Sequence, residues 1–139
     1  MKLQIFSFSW KSFASDSVVS ATLMTTTWEI TILDNHSPLL TSMKPSNMTV
    51  IYMDNWEKKE ENFAIWRGIV EVSENNVKVM ADMLIDMEEI DVEEAENARK
   101  RALELMEKYS NSQHIDMEKY IEAEDMLLRS VAQLKLHKL

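Results

Sequence analysis

The chain has 139 residues, of which 45% are apolar and 28% charged, with no cysteine and a formal net charge of −9. That composition fits a globular protein able to bury a core without metal or cross-links. The missing thiols exclude disulfides, cysteine nucleophiles, iron–sulfur clusters and Cys-ligated zinc, and the acidic balance argues against nucleic acid or anionic lipid as partner.

Up to Asp86 the sequence is rich in Val, Ile, Thr, Phe and Trp in short runs broken by Asn, Asp, Ser and Pro, the pattern of antiparallel strands. Strands are expected at residues 3–8, 18–26, 30–33, 39–43, 48–53, 62–66, 69–72 and 77–81. The first of these begins at the chain start, which lacks the long apolar stretch and small-residue cleavage site of a signal peptide. Glu57-Lys58-Lys59-Glu60-Glu61 reads as a solvated hairpin tip, and Glu74-Asn75-Asn76 as a turn with asparagines suited to positive φ. Eight short strands at this spacing predict an antiparallel β-sandwich or flattened barrel over residues 1–86.

From residue 87 to 139 there is no glycine or proline, and strong helix formers dominate. Asp91 is the expected N-cap of a first helix, with Glu93, Glu94 and Glu96 at the positive end of its dipole. Ala95, Ala98, Ala102, Leu105 and Tyr109 form a narrow stripe of mostly small residues that allows close approach of a partner helix. A second helix is expected from about Asp116, with Tyr120, Leu127, Val131 and Leu134 on one face, giving a C-terminal α-helical hairpin. Two such narrow stripes leave little to fix the hairpin in one place on the sandwich.

Catalytic and metal-binding motifs are not found. Gly68 is the single glycine, so no phosphate-cradling loop, dinucleotide fingerprint or nucleophile elbow can be built. His36, His114 and His137 are isolated from one another, and His36 after Asp34 reads as a turn histidine rather than part of a triad. The acidic run at residues 88–94 lacks calcium-loop spacing and reads as a charged linker. Met80, Met83, Met87, Met106, Met117 and Met126 suit either adaptable core filling or a surface that repacks against partners. No cofactor and no metal are expected, and no run approaches the roughly 20 apolar residues of a membrane helix.

The stretch 29–43, EITILDNHSPLLTSM, together with Lys44 and Pro45, resembles the epsilon subunit of the F-type ATP synthases, the delta subunit of mitochondria. Glu29, Ile30, Ile32, Leu33, Asn35, His36, Pro38, Leu39, Leu40 and Thr41 match the pattern of that family. Arg67-Gly68-Ile69-Val70-Glu71-Val72, Val77-Lys78-Val79-Met80-Ala81-Asp82 and Ile90-Asp91 with Ala95 extend the likeness in order. Trp28, Thr31 and Ser46 stand where the family has glycine, and Asp34 where it often has proline, so those loops must be built without easy access to positive φ.

The resemblance implies a non-catalytic rotor subunit whose sandwich grips the gamma subunit and rests on the c-ring. Glu29, Ile30, Leu33, Asp34, Asn35 and His36 would form that interface. It also implies a hairpin that folds on the sandwich or extends toward the alpha and beta catalytic subunits to inhibit ATP hydrolysis. Arg129, Lys135 and Lys138 would then face an acidic segment there. The location implied is the cytoplasmic face of a bacterial membrane, or a plastid. Some members bind ATP at the hairpin; Asp91 and Arg101 keep their places in that motif, while Glu94 replaces an arginine and Ile85 a glutamate, which predicts no tight ATP binding. Other readings left open are a subunit of a hydrolysis-only rotary motor and a free-standing β-sandwich binding module with a helical tail, with a small hydrolase behind both.

Overall fold

The computed structural model describes residues 1–86, 91–110 and 117–137. Eight strands come first: β1 (Lys2–Ser7), β2 (Ser12–Ser15), β3 (Val18–Met24), β4 (Glu29–Leu33), β5 (Leu39–Met43), β6 (Ser46–Asp54), β7 (Glu57–Ser73) and β8 (Asn76–Asp86). Two helices follow, α1 (Val92–Ser110) and α2 (Met117–His137). The strands pair in the order β2-β1-β8-β7-β6-β3-β4, with β5 also on β7; only β1 and β8 run parallel.

The 17-residue strand β7 organises the sheet. One of its edges pairs first with β6, from Asp54↔Glu57 to Ser46↔Ile65, and then with β5, from Met43↔Gly68 to Leu39↔Val72. The two partners share one continuous register, so β5 and β6 act as one strand broken at Lys44-Pro45. Opposite that break, β7 turns at Arg67, whose φ is 51°. Both strands of the ribbon thus bend at the same level, which folds the sheet over its own core. Proline, with no N–H to offer the ladder, suits the corner.

Alternation does the rest. Leu3 and Ile5 of β1, Ala21 and Leu23 of β3, Met48 and Val50 of β6, Val70 and Val72 of β7, and Val77, Val79 and Ala81 of β8 all point inward and are buried. Phe13 closes one side, its ring 5.4 Å from Tyr52 and 5.3 Å from Phe63.

The strand expectations differ from the structure in two places. Residues 62–66 and 69–72 belong to one strand bent at Arg67, and the charged run 57–61 lies inside that strand, paired with β6. The short polar strand β2, unforeseen in the sequence, occupies the sheet edge. The loop positions where the family has glycine do not adopt positive φ; that conformation falls instead on Trp10, Asn35, Asn55, Trp56, Arg67, Glu74 and Asn75. Thr25 stabilises the 25–28 turn in another way, since its buried hydroxyl donates to the Trp28 carbonyl at 2.7 Å and accepts from the Trp28 N–H at 3.1 Å.

The hairpin tip is Asn55-Trp56, both at positive φ, the signature of a type I′ turn. Trp56 is 97% exposed and pays no packing return for its left-handed backbone. Trp56→Gly is expected to raise stability by about 1 kcal/mol, read as a higher urea midpoint at unchanged m-value.

Asp91 caps α1 as expected, its Oδ1 accepting from the Glu94 N–H at 3.1 Å. Ala95 and Ala102 are buried, and Ala98, Leu105 and Tyr109 half-buried. On α2 the foreseen residues Tyr120, Leu127, Val131 and Leu134 are only half-buried, while Ala123, Ser130, Ala132 and Leu136 are buried. This helix has two packed stripes: α1 packs against α2, and α2 against β6 and β7.

Candidate docking surfaces

The residues singled out on β4 and the loop after it do not form one patch. Glu29 and Ile30 begin β4, whereas Leu33, Asp34, Asn35 and His36 lie at its far end, roughly 13 Å away along the strand. At that far end the β4–β5 turn is tied to the β7–β8 turn. Asn35 N–H donates to Asn75 Oδ1 at 2.8 Å, and Asn75 Nδ2 to Asp34 Oδ1 at 2.9 Å. The Met1 amine donates to the same carboxylate at 3.0 Å. These bonds, the Asn75 amide first, hold the Asp34 carboxyl below its usual range. His36 N–H donates to the Leu33 carbonyl at 3.1 Å, and its Nδ1 lies 2.7 Å from the Ser37 carbonyl, so it serves as a turn residue. Leu33 stays exposed beside this braced turn.

A second surface was not foreseen. Phe6, Met80 and Ile69 are directly opposed on β1, β8 and β7, so their side chains share one face of the sheet. They point outward, with 49%, 57% and 46% of their surface exposed. Leu40 of β5, opposite Glu71 and one row away, is 72% exposed, and Phe8 continues the row past the end of β1. A contiguous apolar row on a sheet face is a candidate binding surface. The sequence did carry a signal: in Leu3-Gln4-Ile5-Phe6 and Val77-Lys78-Val79-Met80 the final apolar residue falls on the polar beat of the alternation.

The third region is the seam between α2 and the sheet. Asp125 Oδ2 lies 2.9 Å from Arg129 Nη2 and 3.6 Å from Arg67 Nη2. The Arg129 guanidinium stands 4.8 Å from the centre of the Trp66 ring. Arg129 is therefore half-buried and engaged; Lys135 is exposed, and Lys138 lies outside the described residues. Asp125, Arg129, Ala132 and Leu136 recur at helical spacing as the stripe opposite Ala123, Leu127 and Leu134. Two charged members hid it from a search for apolar periodicity.

Beside this seam lies a cavity of about 570 Å³, lined among others by Trp66, Arg67, Asp91, Glu94, Glu122 and Asp125. Asp91 and Glu94 thus meet at one cavity, but the Asp91 carboxylate is already occupied in capping α1. Arg101 is exposed and absent from that lining, but it meets Asp91, Glu94 and Lys100 at a second, shallower depression along the start of α1. Ile85, on β8 opposite Ala64, is half-buried and also not part of it.

Comparison with known proteins gives concordant results. The chain matches the ATP synthase delta/epsilon chain β-sandwich domain over residues 1–87 and the delta/epsilon chain long α-helix domain over residues 88–138. It is similar in fold to a chain of the Euglena gracilis mitochondrial ATP synthase, solved as OSCP/F1/c-ring in rotational state 1, with 21% identity and a TM-score of 0.75 over 96% of this chain and 78% of that one. It is also similar to a chain of the Tetrahymena thermophila mitochondrial ATP synthase, solved as central stalk and c-ring, with 16% identity and a TM-score of 0.72 over 99% of this chain and 96% of that one. With both family domains matched in order along nearly its whole length, the chain belongs to the ATP synthase delta/epsilon family.

Proposed function

We propose that the protein is a non-catalytic central-stalk subunit of a rotary ATP synthase, coupling rotation of the gamma subunit and the c-ring to the catalytic head. The observation that carries this reading is the outward apolar row of Phe6, Met80 and Ile69 with Leu40. In a chain of this family it supplies the dry surface that a permanent grip on gamma needs. Glu29 and Ile30 at one end of β4, and Leu33 to His36 at the other, are proposed as separate contacts, divided between the ring and gamma. The two solved relatives are described in assemblies with a c-ring, which supports that partner.

Contact with the alpha and beta subunits falls to the hairpin. Arg129 becomes available to an acidic partner only after α2 leaves the sheet, because in the docked position it is shared between Asp125 and Trp66. The role sets the location as peripheral, on the membrane face that carries the catalytic head, which in a bacterial cell is the cytoplasmic face. Both solved relatives are mitochondrial, which makes a mitochondrion the competing compartment. None of the described helices is long and apolar enough to cross a membrane.

Nucleotide is not proposed as a ligand. Glu94, Glu122 and Asp125 on the cavity wall repel phosphate oxygens, Arg67 and Arg129 are already shared with Asp125, and at the second depression Asp91, Glu93 and Glu94 outnumber Lys100 and Arg101. Calorimetric titration of the isolated chain with ATP is expected to show no saturable binding; micromolar affinity would overturn this.

The role is tested by tagging the chain at its C-terminus, since the Met1 amine is bonded to the Val18 carbonyl and to Asp34, and recovering it from gently solubilised native membranes. Alpha, beta, gamma and c subunits in fixed proportion are the expected companions. Alpha, beta and gamma without c subunits would indicate a hydrolysis-only motor. Recovery of none of them would favour a free-standing binding module.

A further inference from the structure

The β6–β7 ribbon outruns the rest of the sheet. Leu33 of β4, Ser20 of β3, Ile51 of β6 and Glu60 of β7 lie side by side in one row. Past that row β3 stops opposite Tyr52, while β6 and β7 continue through the pairs Tyr52↔Lys59, Met53↔Lys58 and Asp54↔Glu57. Their tip therefore stands about 10 Å beyond the end of β4. On the other side of β7, among the described residues, β8 ends opposite Phe63. The ribbon is braced along its length: Lys59 Nζ donates to Asp54 Oδ2 at 2.6 Å, and the Thr49 hydroxyl to Asn62 Oδ1 at 2.7 Å. What it holds out is Trp56, 97% exposed in the second central position of the type I′ turn, with a φ of 68°. Glycine suits that position, and a bulky side chain there is strained. Strain from which the folded chain gains nothing points to a contact made outside the chain. An exposed indole on a stiff arm is suited to such a contact, because tryptophan is among the residues that dominate interfaces.

The partner follows from the end of the molecule at which Trp56 stands. It shares that end with the 33–36 turn, two strand spacings or about 10 Å away across β3. The seat of α2 lies toward the other end of the ribbon, at Trp66, nine residues or about 30 Å along β7 from Glu57. With the hairpin serving the catalytic head, the Trp56 end faces the ring. We propose that Trp56 anchors a second ring contact, made by the β6–β7 tip against the protein surface of the c-ring and separate from the contact of the β4–β5 turn. Two attachments resist tilting, whereas a single one is a pivot. This rests on the central-stalk reading given above. Lipid is disfavoured as the neighbour of the tip, because Asp54, Glu57, Glu60 and Glu61 outnumber Lys58 and Lys59 there and repel anionic headgroups.

The test immobilises the full chain through a C-terminal tag and titrates it separately with purified gamma and with detergent-solubilised c-rings. Trp56→Gly is expected to weaken c-ring binding by at least about 30-fold while gamma affinity stays at the parent value and the urea midpoint does not fall. Loss of ring binding in a variant at least as stable as the parent cannot come from unfolding. Trp56→Phe is expected to keep most of the affinity. Trp10→Gly is the control: Trp10 is equally exposed and also at positive φ, but its turn lies where Lys11 meets Asp86 opposite Phe63, six residues along β7 from Glu57. It is expected to bind c-rings like the parent. Parent-level ring binding by Trp56→Gly overturns the anchor and leaves the stalk role standing, as does an equal loss in Trp10→Gly. A parent chain that binds gamma but not c-rings overturns it as well, whereas binding to neither removes the stalk reading along with it. Trp56-dependent binding to ring-free phosphatidylglycerol vesicles, without binding to c-rings, overturns it by placing the tip in lipid.

Discussion

Gly68→Ala is expected to cost the protein about 3 kcal/mol, seen as a large drop in urea midpoint. The reason is space and not backbone conformation, since Gly68 does not adopt positive φ. A Cβ built at Gly68 would stand 2.6 Å from the Met80 carbonyl oxygen and 3.2 Å from the Ala81 Cα. Both obstacles are backbone atoms of β8, fixed by the ladder that pairs Gly68 with Ala81, so no rotamer change relieves the clash. The site also lies next to the bend at Arg67, where β7 passes from β6 to β5. Pushing β8 away there opens the sheet at its corner and disturbs the neighbouring buried pair Val70 and Val79. A loss below about 1 kcal/mol would mean that the corner is softer than its register suggests.

Met80→Glu is expected to leave folding intact and to weaken binding to gamma by at least about 100-fold, measured by titrating purified gamma into the labelled chain. The Met80 side chain is exposed in the middle of the row between Phe6 and Ile69, and a carboxylate there is harmless until a partner excludes water from it. Lys78→Gln, one outward step along the same strand, is the control and is expected to change affinity only slightly. Equal binding by Met80→Glu and the parent would remove the row from the interface and leave the β4 ends as the surviving contacts.

Where apolar residues alternated, as in 77–81, or repeated at helical spacing, as in Ala95 and Ala102, the strands and helices were legible because side-chain burial sets both patterns. Residues 57–61 were not, since their strand pairs through backbone bonds that are indifferent to the charges they carry, and both faces of that ribbon meet water. The bend at Arg67 was hidden for a related reason: positive φ fell on an arginine, while the nearby glycine serves a close approach. At the candidate site, the stretch from Glu29 to His36 drew notice through family likeness, yet its two ends are held apart by β4 itself. The apolar row and the Asp125 seam escaped because each depends on strands or helices distant in sequence being brought side by side.

Strand β7 contributes Ile69 to the outward row and, three residues earlier, Trp66 to the seam beneath α2. A stretch of backbone no longer than about 10 Å therefore joins the outward apolar face to the ledge on which the hairpin sits. A displacement of the first reaches the second through covalent bonds and a paired ladder, without any intervening loop to absorb it. The apolar row and the seat of α2 are in this sense two ends of one short lever, with Gly68 at its fulcrum.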